Sequence, residues 1–210
     1  MSATTNANGT ALLMVDIQND FCPLGALAVA DGAAIVPIVN RLQGKFQICI
    51  LAQDWHPADH GSFASSHQGA EPFSVTQMPY GDQVLWPDHC VQGTRGAEFH
   101  PDLITDGADL VLRKGFRREI DSYSAFYEND HTTRTGLEGY LRERDVTHLV
   151  ITGLATDFCV YYSAMDATKL GFQVTLVPDA CGAIDLDGSL AAANEAMAGA
   201  GVAFVMSDKF

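Results

Sequence analysis

ALLMVD, residues 11–16, is a short apolar run that stops on a carboxylate. Without alternation of polarity, such a run reads as a strand buried on both faces, as in a parallel sheet. The shape recurs at 48–52, 110–112, 149–152 and 174–177, with a weaker repeat at 202–205. Helical patterns separate most of these runs. The first places Ile35, Ile38, Val39 and Leu42 on one face, and Pro37 restricts its start to near Ala34. A second covers 135–144, with Leu137 and Leu141 inward. A third covers 156–170, with Thr156 as N-cap, Lys169 in the last turn and Gly171 as the stop. A fourth covers 191–198. Strands alternating with helices predict an α/β protein: one domain over 11–210, with a mostly parallel central sheet flanked by helices on both faces. Residues 1–10 are expected to form a disordered tail.

Composition narrows the function classes. With 47% apolar and 18% charged residues in a chain of 210, one hydrophobic core is the expectation. Twelve basic against 26 acidic residues leave a formal charge of −14, which argues against nucleic acid and anionic membranes as partners. The opening MSATTNANGT has neither a basic nor an apolar targeting segment, and no long apolar run follows, so a cytoplasmic protein is expected. The five cysteines are odd in number and lack a CxxC, against a disulfide framework or a Cys-rich zinc site. Cys49 and Cys181 read as small buried hydrophobes, and Cys22 and Cys90 fall in loops with their roles open. A homo-oligomer also stays open.

Residues 54–106 carry scattered Pro and Gly and no periodicity, and so long an irregular connection in a compact domain points to function. Five of the seven histidines (His56, His60, His67, His89 and His100) and both tryptophans, Trp55 and Trp86, fall inside it. His67, His100, His131 and His148 have no partner readable from spacing and are expected at the surface or in turns. Asp102, Asp106 and Asp109 look like a solvated run.

Ligands of open α/β sheets bind at the carboxyl ends of strands. Four residues stand there: Asp16 after the first strand, Asp54 after the second, Lys114 after the third, and Cys159 in the first turn of the helix after the fourth. Cys159 would sit at N3, where the helix terminus and Lys114 would favour a thiolate nucleophile. The alternatives are a buried inert thiol for Cys159, a capping carboxylate for Asp16, and for Lys114 a solvated cation beside Arg113, Arg117 and Arg118. Asp54 and His56 form a D-x-H pair whose side chains can reach one ion from an extended segment, with His89 or His60 as a further ligand. A carboxylate with imidazoles suits a divalent metal: zinc first, with iron or manganese as alternatives. Phe21, Trp86 and Tyr123 can wall a pocket for a planar ligand or can serve as plain core.

VDIQNDFCPLGALAV, LAQDWHPADHGSFAS, LWPDHCVQGTRGAEFHPDL, LVLRKGF and ITGLATDFCV together resemble the nicotinamidases of the isochorismatase-like cysteine hydrolase family, over nearly the whole chain. The resemblance implies that family's fold and hydrolysis of nicotinamide to nicotinate and ammonia, with pyrazinamide as an expected second substrate. It implies Asp16, Lys114 and Cys159 as the catalytic residues, and metal ligation by Asp54, His56 and His89 with His60 as an added candidate. It also implies an oxyanion hole from the backbone amides of Ala155 and Cys159, with a cis peptide before Ala155. Two rival readings remain: a cysteine hydrolase of another small amide or carbamoyl compound, and a non-catalytic metal or thiol-sensing module.

Overall fold

The computed structural model describes residues 9–210, so most of the expected tail lies outside the described residues. Thr10, placed in that tail by the sequence reading, instead opens the first strand. Along the chain run β1 (Thr10–Val15), β2 (Ile48–Asp54), β3 (Val75–Met78), β4 (Gly81–Val84), β5 (Leu110–Lys114), β6 (His148–Leu154), β7 (Gln173–Gly182) and β8 (Ala203–Phe204). Six of these form one parallel sheet in the order β5-β2-β1-β6-β7-β8, and β3 and β4 make a separate antiparallel hairpin. The helices are α1 (Val36–Gln43), α2 (Leu137–Arg142), α3 (Tyr161–Lys169) and α4 (Ser189–Gly199).

β1 lies inside the sheet, which explains its unbroken apolarity. Leu12 and Met14 face the α1 side with Val36, Val39 and Leu42, whereas Ala11, Leu13 and Val15 face Leu137, Leu141, Ala164 and Met197 of the other three helices. Both faces are therefore covered, in a single-domain α/β architecture of the expected class. The edge strands are less covered: β5 alternates half-buried and exposed residues, and β8, the weaker repeat in the sequence, is exposed. Among the described residues, no helix is long and apolar enough to cross a membrane.

Several boundaries differ for local reasons. The turn Gly32–Ile35 is 3-10, and α1 starts only at Val36, with Pro37 in the first turn where its missing N–H costs nothing. β7 runs on past Val177 to Gly182 because a register shift opposite Ile151 and Gly153 accommodates Pro178. The segment expected to be irregular contains the β3–β4 hairpin, whose Val75 is exposed opposite Val84 and whose middle pairs, Thr76 with Gln83 and Gln77 with Asp82, are polar. His148 opens β6 instead of a turn and lies 2.9 Å from Thr175 Oγ1, and Asp109 accepts a hydrogen bond from Cys49 N at 2.8 Å.

The strand order fixes where a ligand can enter. From β1 the chain builds outward through β2 to β5, then crosses to the other side of β1 with β6, so the loops after β1 and β6 diverge at a switch point. Asp16 follows β1 and Cys159 follows β6. Gly153 permits that close approach: its φ is +118°, and a Cβ there would collide with the backbone of Val15.

Candidate active site

β1 ends because Asp16 turns into the left-handed region at φ 50°, a conformation that Asp tolerates better than most residues. The turn leaves its carboxylate fully buried at the switch point. Gln18, two residues on, acts as a template for the neighbouring strand end. Its side chain donates to Asp54 O and accepts from Asp54 N, both at 2.8 Å. Asp54 and Lys114 are register partners at the ends of β2 and β5.

These elements bring the four strand-end residues together around one ammonium. Lys114 Nζ donates to Asp54 Oδ1, to Ser122 O at 3.0 Å and to Cys159 Sγ at 3.3 Å, and lies 2.7 Å from Asp16 Oδ2. Lys114 is only 1% exposed, which settles its open reading against the solvated cation. Its basic neighbours are occupied elsewhere: Arg113 stacks over Trp55, Arg117 pairs with Glu128 and Arg118 with Asp59. Asp16 thus shares the ammonium with Asp54, Ser122 and Cys159, and its carboxylate stands beside the Cys159 sulfur.

Burial dominates the protonation states. It pushes the Asp16 carboxyl up to about 7, with Lys114 drawing it back. Burial would also favour a neutral Lys114, but Asp16 and Asp54 outweigh it and keep the ammonium. At Asp54 the order of forces reverses, and Lys114 and His56 overcome burial to hold the carboxyl well below its ordinary value. Burial pushes the Cys159 thiol well above its ordinary range. Burial thus favours the thiol over the helix-stabilised thiolate expected at Cys159. The capping expectation changes as well. Thr156 donates its hydroxyl to Gly182 O at 3.0 Å instead of capping, and Cys159 stands in a widened turn closed by Val160 N to Ala155 O at 3.1 Å. The Leu154–Ala155 peptide is cis, as the resemblance implied.

The long segment folds back on itself to deliver the histidines. His56 N donates to Cys90 O at 3.0 Å and Gln92 N to His56 O at 2.8 Å, so His89 is carried up to His56. His56 Nδ1 lies 2.8 Å from Gly115 O, and His89 Nδ1 lies 2.8 Å from Pro87 O. Carbonyls only accept, so each ring carries a hydrogen on Nδ1 and turns Nε2 toward Asp54 Oδ2, at 3.5 and 3.8 Å. Two imidazole nitrogens and a carboxylate oxygen, all buried around one point, fit a divalent cation of the zinc kind. His60 does not join this set. Its nitrogens face Ser62 Oγ at 2.8 Å and Ile120 O at 3.3 Å, and it groups with His56 and Asp121 instead.

Between the Cys159 group and the histidines lies a small, partly open pocket, and the aromatic residues Phe21, Trp86 and Tyr123 all line it. Leu27, Asp121, Phe158 and Ile184 complete its wall and were not anticipated. Ile184 comes from the loop after β7, where Asp157 accepts from Ile184 N at 3.0 Å and Asp185 N at 2.8 Å. Asp157 in ATDFC was the available signal, but its partners lie far along the chain. Cys49 is buried and Cys181 half-buried, while Cys22 and Cys90 prove buried; all five cysteines are free.

An acid, an ammonium and a thiol thus meet at the switch point of a parallel sheet, beside a buried Asp-His-His set, in an α/β protein of the amidohydrolase class. The family profile described as the isochorismatase domain matches residues 10–208, and the chain belongs to that family. It is 53% identical to a nicotinamidase of Acinetobacter baylyi, over 96% of this chain and 94% of that one. A solved Acinetobacter baumannii nicotinamidase pyrazinamidase superposes with a TM-score of 0.95 at 52% identity, covering 97% of this chain and 98% of the other. A Pyrococcus horikoshii pyrazinamidase in complex with zinc superposes with a TM-score of 0.76 at 35% identity, covering 94% and 99%.

Proposed function

We propose that the chain is an amidohydrolase that converts nicotinamide to nicotinate and ammonia, accepts pyrazinamide as well, and serves NAD salvage in the cytoplasm. The observation that carries this reading is the junction at Lys114, where base, thiol and metal-facing carboxylate meet one ammonium. Similarity to nicotinamidases at 53% and 52% identity supports the choice of substrate.

Asp16, with its carboxyl pushed up to about 7 and beside the sulfur, takes the proton of Cys159. The thiolate attacks the carboxamide carbon, and the backbone N–H groups of Ala155 and Cys159 receive the oxyanion. Asp16 returns the proton to the departing nitrogen, which leaves as ammonia while the acyl group stays on Cys159 as a thioester. Asp16 then takes a proton from water for attack on the thioester and passes it to the cleaved sulfur as nicotinate leaves. Lys114 balances whichever of Asp16 and Cys159 carries the negative charge. Phe21 and Trp86 would hold the ring, and Asp54, His56 and His89 would hold the cation, zinc by preference. A bound divalent cation supplies an electrophilic anchor for a ring nitrogen.

The test is ammonia release from a panel of nicotinamide, pyrazinamide and a carbamoyl compound, before chelation, after it, and after metal is restored. Release from nicotinamide that falls and returns with the metal supports the proposal. Turnover of only the carbamoyl compound overturns it.

A further inference from the structure

The turn that carries the nucleophile is tied sideways to a remote segment. Thr156 Oγ1 donates to Gly182 O at 3.0 Å, and the next side chain, Asp157, is 4% exposed and takes three donors from beyond β7. Its Oδ1 accepts from Ile184 N at 3.0 Å, and its Oδ2 accepts from Asp185 N at 2.8 Å and from the Ser189 hydroxyl at the start of α4. Both oxygens are used, so an amide in place of the carboxylate would set an NH2 group against donors. Bonds from N–H groups to a carboxylate are also among the stronger ones a protein makes.

Residues 183–188 have little of their own to hold their shape. They are half-buried or exposed throughout, and Asp185, Asp187 and Gly188 have φ of 56°, 50° and 86°. Residues enter that left-handed region singly unless something holds them there. Of this segment Ile184 alone lines the pocket, and it packs on the core cluster that contains Phe21, Leu27, Trp86 and Ala155. The Asp157 bonds fall on the amide of Ile184 itself and of the residue after it, so the carboxylate grips the segment where it forms the pocket wall.

We propose that Asp157 is a specificity-determining positioning residue: it holds Ile184 at a fixed distance from the nucleophile turn and so limits the size of ring that the pocket accepts. The occupant is a single heteroaromatic ring carrying a carboxamide, so the inference rests on the function proposed above. Asp157 and Cys159 belong to one turn, and the wall at Ile184 is therefore set relative to the sulfur and not to the rest of the sheet. Releasing the grip lets the segment swing away from the ring while Cys159, Asp16 and Lys114 keep their places.

The test compares nicotinamide with its ring-methylated isomers as substrates of the metal-loaded full chain. Wild-type protein should prefer nicotinamide over at least one isomer by about tenfold or more in kcat/KM, the low end for a methyl group refused by an apolar pocket. Ile184→Ala removes the wall and should cut that preference to about threefold or less, which identifies the isomer that meets Ile184. Asp157→Asn should narrow the preference against the same isomer to a similar degree, and the double variant should go no further than Ile184→Ala alone. A loss of stability by itself lowers the active fraction for every substrate alike and leaves the ratio where it was. Four outcomes overturn the proposal: a wild type without preference, no isomer relaxed by Ile184→Ala, a folded Asp157→Asn protein with the wild-type ratio, or an additive double variant. If Asp157→Asn loses its cooperative thermal melt, hydrogen exchange on the wild type decides. The amides of Ile184 and Asp185 should then be protected as well as those of α4, and exchange at open-loop rates overturns the proposal. Wild-type protein that releases no ammonia from nicotinamide removes the proposed function instead, and the same comparison is read on the amide that it does hydrolyse and the methylated forms of that amide.

Discussion

Asp54 and Lys114 face each other at the last register position of β2 and β5, and their side chains close that register as an ion pair. The second oxygen of Asp54 faces His56 and His89. One carboxylate thus joins the two halves of the site: the thiol and its base reach it through Lys114, and the metal-facing imidazoles reach it directly. Because the link is built on adjacent strand ends, the geometry of the sheet sets the spacing of the site.

Lys114→Met should therefore damage more than turnover. It removes the cation from a buried cluster that holds Asp16, Asp54 and Cys159, and breaking a buried pair from one side costs about 3–5 kcal/mol. Urea unfolding should show a loss of that order, and metal content should fall because Asp54 loses its partner. A variant with wild-type stability and metal content would show that Asp54 does not depend on Lys114.

Cys159→Ala should abolish ammonia release while leaving the thermal melt close to wild type, since a small buried side chain is only slightly truncated. Ammonia release at the wild-type rate would remove Cys159 as the nucleophile.

The pH profile follows from Asp16. Its carboxyl is pushed up to about 7, and only the ionised form can take the Cys159 proton. The value of kcat/KM should therefore fall on the acid side of about pH 7, by about tenfold per pH unit once the group is mostly protonated. A profile flat down to pH 5 would place the essential base elsewhere.

Legibility in the sequence tracked how local the signal was. β1, β2 and β6 are buried on both faces and read as unbroken apolar runs, and the residues closing them, Asp16 and Asp54, were visible as polar stops. The β3–β4 hairpin was invisible because its strands are short and mixed, with polar middle pairs and no apolar alternation, and of its residues Val84 alone packs on the main core cluster. The Thr156 cap was misread because a hydroxyl before a helix can serve the helix or a distant carbonyl, and here Gly182, on β7, takes it. Asp121 and Ile184 were not anticipated for the same reason: their places in the pocket wall come from partners that only the folded chain brings close.

Gly115 offers a test of the metal half that leaves every proposed ligand in place. It follows β5 with a φ of +65°, and a Cβ built there would collide with the His56 ring, whose Nδ1 would lie at 2.7 Å. The same residue's carbonyl faces Nδ1 at 2.8 Å and so sets the tautomer of His56. Gly115→Ala therefore strains the backbone and displaces the imidazole at once. Metal content after dialysis against a weak chelator should fall, with a loss of about 1 kcal/mol or more in unfolding free energy from the disfavoured backbone region. The release rate at saturating metal should recover in part, because Asp16 and Cys159 are untouched. Wild-type metal retention in Gly115→Ala would mean that His56 is free to move without cost, and that its pairing with Gly115 does not organise the cluster.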